Sequence, residues 1–381
     1  MGSTAASVVI VLTLGACGYL VREKRKRDVF ILAASSARVD PFGERTVSIW
    51  ITLAVLRRRT MASCAVAGET RFWNGAAPTT NTIAMTKPCL GPLPTPAAPP
   101  IPMPPHACDC HAHVFGPYAR FPLADERSYT PPENPADRFI AHLDRLGFER
   151  GVLVTASVYG MENTSLVDAL QRYPSRLRGV AVLGADTPEA ELDRLSAHGV
   201  RAARFNLFRR DGQAVYRNGA GLDALRALAP KLAARGWHAQ IWVHAPDLPE
   251  LEPLLRALSI GLVIDHMGRM SIANGTADVG FQRLIAMLAD GVAWTKISGA
   301  DRVSAQGAPY DDVAPFFDAI LAANPQQVVW GSDWPHVNYF DAAQMPDDGV
   351  LLERFARAVP DHALRRAILV DNPARLYGFA G

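Results

Sequence analysis

Cysteine is scarce in this 381-residue chain, and the five that occur (Cys17, Cys64, Cys89, Cys108 and Cys110) form no CxxC pair. An odd, unpatterned set excludes a disulfide framework and predicts a reducing cytoplasm. Charge of one sign is lacking too. The formal net charge is +2, and the basic residues of the C-terminal part are dispersed among acids. The basic face that nucleic-acid binding requires is therefore absent. No apolar run reaches the ~20 residues of a membrane-spanning helix. Residues 5–21 come nearest, but their basic cluster, Arg22-Glu23-Lys24-Arg25-Lys26-Arg27, follows the run, whereas a secretory signal carries its charge first. Leu14-Gly15-Ala16-Cys17 has the look of a lipoprotein box without the basic lead. No 20–50-residue repeat is present.

The first hundred residues stand apart. A second apolar run, residues 47–56, is short, and residues 22–100 show no sustained helix or strand period. Residues 87–105 (KPCLGPLPTPAAPPIPMPP) are Pro-rich and read as an extended linker. Residues 1–105 are accordingly expected to be a disordered or artefactual extension outside the working fold, with Met61 and Met85 as alternative starts. The competing reading is a membrane tether through residues 5–21, which would move the protein from the cytoplasm to a membrane.

What is present begins at residue 106. Short β-branched runs alternate with amphipathic stretches rich in Ala, Leu and Arg, the signature of βα units. Strands are predicted at 107–113, 150–156, 178–184, 200–206, 238–244, 260–266, 292–299 and 327–333. Helices are predicted at 135–146, 163–173, 188–198, 220–235, 247–258, 277–290, 311–323, 349–358 and 361–370. Eight such units predict a closed (β/α)8 TIM barrel over residues 106–381. Chemistry in such barrels sits at the C-terminal strand ends. The polar residues there are His111, His113, Ser157, Arg204, His244, His266, Arg302 and Asp333.

His111 and His113 lie two apart on the first strand, so both face the same way. His266 closes the sixth strand and Asp333 follows the eighth, where a carboxylate serves as a helix cap or a base. His336 is read as its hydrogen-bonding neighbour. Arg204, Arg210 and Arg302 near one barrel mouth would clamp carboxylates in bidentate fashion, with surface ion pairing as the alternative. Cys108 and Cys110 read as small packing residues rather than metal ligands. His111, His113, His266 and Asp333 are also a donor set for zinc or manganese. Against a metal, Arg204 occupies the fourth strand where a bridging ligand would be needed. The expected cofactor is none.

The motifs Cys110-His111-Ala112-His113, Ser157-Val158-Tyr159-Gly160, Arg204-Phe205-Asn206, Ile264-Asp265-His266-Met267-Gly268, Lys296-Ile297-Ser298-Gly299 and Trp330-Gly331-Ser332-Asp333-Trp334-Pro335-His336 together resemble the amidohydrolase-related (amidohydrolase 2) family over about residues 105–380. The resemblance implies metal-independent opening of a carboxylated lactone, most directly 2-pyrone-4,6-dicarboxylate to 4-oxalomesaconate in aromatic catabolism. It gives His111, His113 and His266 the polarising of the lactone carbonyl and Asp333 the activation of water. Tyr129, Ser157, Arg204, Arg210 and Arg302 match positions that hold the substrate carboxylates. The pattern departs on the fifth strand, where Gln240 and Trp242 stand in place of an aromatic hydroxyl. Related members act on sugar lactones or sulfonated muconolactones, and these remain alternatives. So does a metal-dependent hydrolase or decarboxylase. A non-catalytic, membrane-tethered binding protein is the reading from another class. The implied partner is a small dicarboxylate lactone.

Overall fold

The computed structural model describes residues 87–380 except 211–212 and 215–217, together with the backbone of three strands in the N-terminal part. Eight strands form one parallel sheet in sequence order: β1 (Cys108–Ala112), β2 (Arg150–Val154), β3 (Leu177–Ala181), β4 (Val200–Asn206), β5 (His238–Trp242), β6 (Leu262–Ile264), β7 (Ala293–Lys296) and β8 (Val328–Val329). The sheet closes on itself. The Cys110 N–H donates to the Trp330 carbonyl at 2.9 Å, that of Asp333 to His111 at 2.9 Å and that of His113 to Trp334 at 2.8 Å. All eight predicted strands are present, the fourth with its predicted bounds, the third beginning one residue earlier and the rest shortened, and the (β/α)8 barrel is the observed fold.

Helices cross over between strands: α1 (Ala136–Leu146), α2 (Thr164–Arg172), α3 (Glu189–Ala197), α4 (Leu222–Ala233), α5 (Leu248–Ala257), α6 (Val279–Ala289) and α7 (Ala314–Ala323), with α8 (Asp348–Ala358) after β8. The first shows why each forms. Phe139, Leu143 and Leu146 recur at helical spacing and are buried. Gly147 then ends the helix at φ 82°, a left-handed conformation that glycine adopts without steric cost.

Strand side chains sort by parity into two layers. Leu153, Ala181, Ala203, Phe205, Ala239, Ile241 and Ile264 pack outward with the helices. Cys108, Cys110, Val152, Val154, Val180, Ala202 and Val329 fill the interior, with Tyr377 and Phe379 of the C-terminal segment packed among them. Both cysteines are therefore packing residues. Strand β1 carries an irregularity with consequences for the site. Asp109 pairs with Gly151 and Ala112 with Leu153, so three steps on β1 oppose two on β2. This is a β-bulge, which re-aims the side chains beyond it. Below it Cys108 and Cys110 point inward; above it His111 and His113 do. Asp109 turns to the other side, where its carboxylate accepts from the Ser332 N–H at 2.9 Å and the Ser332 hydroxyl at 2.5 Å.

The Pro-rich residues 87–105 lack regular structure, as their composition predicts, yet they are tied to the barrel. The Cys89 N–H donates to Thr130 and that of Leu90 to Tyr339, at 2.9 and 2.8 Å. Ala97 N–H meets the Asp347 carboxylate at 2.9 Å, and Arg145 donates to the Pro96 carbonyl at 2.9 Å. Residues 1–81 form a separate unit with antiparallel strands Tyr19–Arg22, Asp28–Val39 and Arg45–Val55. This corrects the expectation that residues 22–100 carry no strand period. In Arg45–Val55, Val47, Ile49, Ile51, Leu53 and Val55 alternate with Thr46, Ser48, Trp50, Thr52 and Ala54, a period of two that reads as a plain apolar run when only hydrophobicity is counted. Residues 5–18 lie outside the described residues. Among the described residues no helix is long and apolar enough to cross a membrane.

Candidate active site

The barrel mouth gathers side chains from the ends of β1, β6 and β8 around one carboxylate oxygen. Asp333 Oδ1 lies 3.7 Å from His111 Nε2, 3.6 Å from His113 Nε2 and 3.8 Å from His266 Nε2. These distances exceed a hydrogen bond, so the three rings surround the oxygen without being bonded to it. The other oxygen, Oδ2, accepts from the Arg302 guanidinium at 3.3 Å. Local backbone aims the parts. His266 and Met267 take φ 48° and 56°, and Asp333 takes φ 65°. Left-handed conformations at residues other than glycine are strained, and they cluster at functional sites. Gly331 allows the close approach of the eighth strand to the first: a Cβ there would lie 2.7 Å from the His111 Cβ.

Electrostatics fixes the protonation of the group. Burial alone would raise the Asp333 pKa. The histidines, His266 foremost, and the Arg302 guanidinium outweigh it and hold the carboxyl well below the usual range. Asp333 is thus ionised. Burial depresses His266 to about 4, against the opposing pull of Asp333 and Asp265. His111 is likewise lowered, by burial first and then by Lys296. Both imidazoles are neutral at neutral pH. The third, His113, donates from Nδ1 to the Val154 carbonyl at 2.7 Å, which leaves Nε2 facing Asp333. His266 Nδ1 meets the Ser298 hydroxyl at 2.8 Å.

Beneath the histidines is a buried ionic layer that the sequence reading did not place in the site. Asp265 is completely buried and accepts from Arg204 Nε at 3.2 Å and from the Gln240 amide at 3.0 Å, both on Oδ2. Its Oδ1 is 3.3 Å from Lys296 Nζ. Burial opposes ionisation of Asp265, but Lys296, His111 and Arg204 together keep its pKa well below the ordinary value. The signal in the sequence was parity. Asp265 shares the inward face with Val263, and Lys296 shares it with Trp294.

Of the other expected residues, Arg204 reaches the mouth with its guanidinium 5.5 Å over the Trp242 ring. Trp242 in turn meets His266 edge-on at 5.2 Å. Arg302 lies over the Tyr339 ring and also donates to the Val337 carbonyl at 2.8 Å. Ser157 opens a single helical turn after β2 and is half-buried. Tyr129 is buried in an aromatic cluster with Cys89, Phe115, Phe121 and Tyr159, beside the end of β1. His244 packs against Phe208 just beyond β5. Arg210 sits in a two-residue hairpin strand after β4, and its side chain lies outside the described residues. His336 departs from expectation. Its backbone N–H bonds the Asp333 carbonyl, but its ring turns away and Nε2 pairs with buried Asp348 at 2.9 Å. The left-handed φ of 59° at His336 directs the side chain out of the mouth.

A parallel barrel with an HxH pair on β1, a histidine after β6 and an aspartate after β8 defines a class of hydrolase-type sites at the C-terminal barrel mouth. The chain belongs to the amidohydrolase family, whose model matches residues 108–379. It is 42% identical over 299 residues to a 4-sulfomuconolactone hydrolase of Rhizobium radiobacter, covering 76% of this chain and 96% of that protein. It is 38% identical over 291 residues to a 2-pyrone-4,6-dicarboxylate hydrolase of Comamonas testosteroni, covering 74% and 93%. Among solved structures it resembles an Acinetobacter baumannii protein assigned as a 2-pyrone-4,6-dicarboxylic acid hydrolase, with citric acid bound. That match has 29% identity and a TM-score of 0.62, covering 72% of this chain and 100% of the other.

Proposed function

We propose that this chain hydrolyses a lactone ring bearing two acidic groups, with 2-pyrone-4,6-dicarboxylate as the first substrate to try and 4-sulfomuconolactone as its rival. The observation that carries the reading is the ionised Asp333 oxygen ringed by three imidazoles, with Arg302 on the other oxygen and Arg204 over the Trp242 ring that meets His266. Arg204 is held through Nε, so its two terminal nitrogens make no hydrogen bond among the described residues and are available to an anion. A guanidinium fork matches a carboxylate in geometry as well as charge. The relatives named for dianionic lactones, and the citrate in the Acinetobacter structure, agree with an acidic ligand.

In the proposed reaction, water held between Asp333 Oδ1 and His113 Nε2 attacks the lactone carbonyl carbon. Asp333 takes its proton. Neutral imidazole N–H groups stabilise the tetrahedral oxyanion, an effect worth about 3–4 kcal/mol per donor in comparable sites. The ring C–O bond breaks, and the departing oxygen recovers the proton from Asp333. Replacing Arg204 or Arg302 by Met removes contacts made in ground and transition state alike. KM is expected to rise more than kcat falls, and steady-state kinetics on each variant checks this.

Among the described residues, two groups of side chains present donor atoms of the kind a metal takes. His111, His113 and Asp333 offer donor atoms within 4.8 Å of one another, as do His111, Asp265 and His266. The Asp265 set does not fit, because that carboxylate already meets Lys296 and Arg204. The Asp333 set has the donor types for zinc or manganese, which would act there as a Lewis acid. Its carboxylate, however, already meets Arg302. We propose turnover without a metal. Prolonged chelation is expected to leave the rate unchanged. A chelated enzyme that is inactive and is restored by zinc or manganese would overturn this.

The deciding experiment is a panel of dicarboxylated pyrones, sulfonated muconolactones and sugar lactones. It should be run on the full chain and on a chain beginning at Met85, for which equal activity is expected. Turnover of neutral sugar lactones alone would refute the acidic-substrate reading.

A further inference from the structure

Lys296 is completely buried in the barrel interior, and the reaction as written gives it nothing to do. Its Nζ is hydrogen-bonded to the Cys110 carbonyl at 3.0 Å, Gln240 Oε1 at 2.8 Å and His111 Nδ1 at 3.0 Å. Asp265 Oδ1 lies 3.3 Å from Nζ and 3.4 Å from His111 Nδ1, without a hydrogen bond of its own. The Gln240 amide is oriented by its own donation to Asp265, so the oxygen that faces Lys296 is an acceptor. The Cys110 carbonyl can only accept. An ammonium has three donors and no acceptor, and here each donor has one partner. A buried, neutral amine would forgo the Asp265 carboxylate 3.3 Å away.

From this geometry we infer that Lys296 is a positioning residue that holds His111 as the Nε2–H tautomer and so turns a neutral imidazole into the donor for the reacting carbonyl oxygen. If Nδ1 accepts from the ammonium, the ring proton resides on Nε2. That is the atom which faces Asp333 and has no hydrogen-bond partner of its own. The two histidines of β1 then divide the work. His113 has its proton on Nδ1, bound to Val154, and presents a lone pair. His111 has its proton on Nε2 and presents a donor. One accepts from the water while the other stabilises the oxyanion.

The kinetic part of the inference rests on the proposed lactone hydrolysis; the tautomer does not, so the two can fail separately. The full chain labelled with 15N in its histidine rings reports tautomers directly by long-range proton–nitrogen correlation, with His111 assigned from the His111→Asn spectrum. The free enzyme is expected to show His111 protonated on Nε2. Lys296→Met should lose that fixed tautomer, and kcat should fall about 10²-fold, the scale of one lost oxyanion donor, while KM changes little. Lys296→Gln retains an N–H donor toward Nδ1 and should keep the tautomer and most of kcat. A wild-type His111 protonated on Nδ1 would overturn the inference whatever the kinetics show. So would a folded Lys296→Met variant with its Nε2–H intact. If the Met variant does not fold, the wild-type spectrum and the Gln variant decide.

Discussion

Asp333→Asn is expected to lower kcat by about 10²–10⁴-fold, the range for a lost general base, with a much smaller change in KM. The amide keeps the shape of the carboxylate but cannot take a proton from water. Of the surrounding groups, His113 Nε2, 3.6 Å from the replaced oxygen, is left to accept from the water, which sets the lower end of that range. His111 and His266 are held neutral by burial and lie 3.7 and 3.8 Å from the missing oxygen. Asp265, the buried carboxylate beneath the histidines, is occupied by Arg204, Gln240 and Lys296. Steady-state kinetics, with a thermal melt to confirm folding, checks the point. A folded variant with near-wild-type kcat would remove Asp333 from its assigned role.

Asp265→Leu is expected to be the most destabilising single change in the barrel interior, by about 3–5 kcal/mol, the usual cost of leaving a buried charge without its partner. Lys296 has no exposure and Arg204 is largely buried, so neither cation can be rehydrated in place. Adding Lys296→Met to Asp265→Leu should restore part of the loss, because one of the two orphaned charges is then gone. Denaturant melts of the two single variants and the double variant form the test. The sign with pH follows from the depressed pKa of Asp265. Its stabilisation is present above the unfolded carboxyl value of about 4 and is lost as pH falls through the lower, folded value. A single Leu variant as stable as the wild type would show that the ionic layer contributes nothing.

Much of this architecture could be read from residue order because strands and helices carry different periods. Val152 and Val154 against Leu153, or Ala202 and Arg204 against Ala203, already separate the interior from the helix layer by alternation. The histidines, Arg204, Arg302 and Asp333 fall at strand ends for the same reason, and the structure brings them to one mouth. Other features were hidden because they depend on relations between strands. Nothing in the order of residues shows that β5, β6 and β7 bring Gln240, Asp265 and Lys296 together, and charged residues are ordinarily expected outside a core. His336 was assigned to Asp333 because only three positions separate them. Backbone handedness, which sequence does not display, sends its ring to Asp348 instead. The bulge in β1 is invisible for a related reason: an extra residue in a strand leaves alternation intact on either side and shifts only its phase.

That phase shift has a wider meaning for how such a barrel can change. Residues below the bulge answer to packing, since Cys108 and Cys110 must fit among Val152, Val154 and Val329. Residues above it answer to chemistry. The extra residue works like a clutch between the two, so the interior can be repacked without turning the histidines, and the mouth can be refitted for another ring without disturbing the interior. Relatives that open different lactones on one scaffold are what such a decoupling would permit.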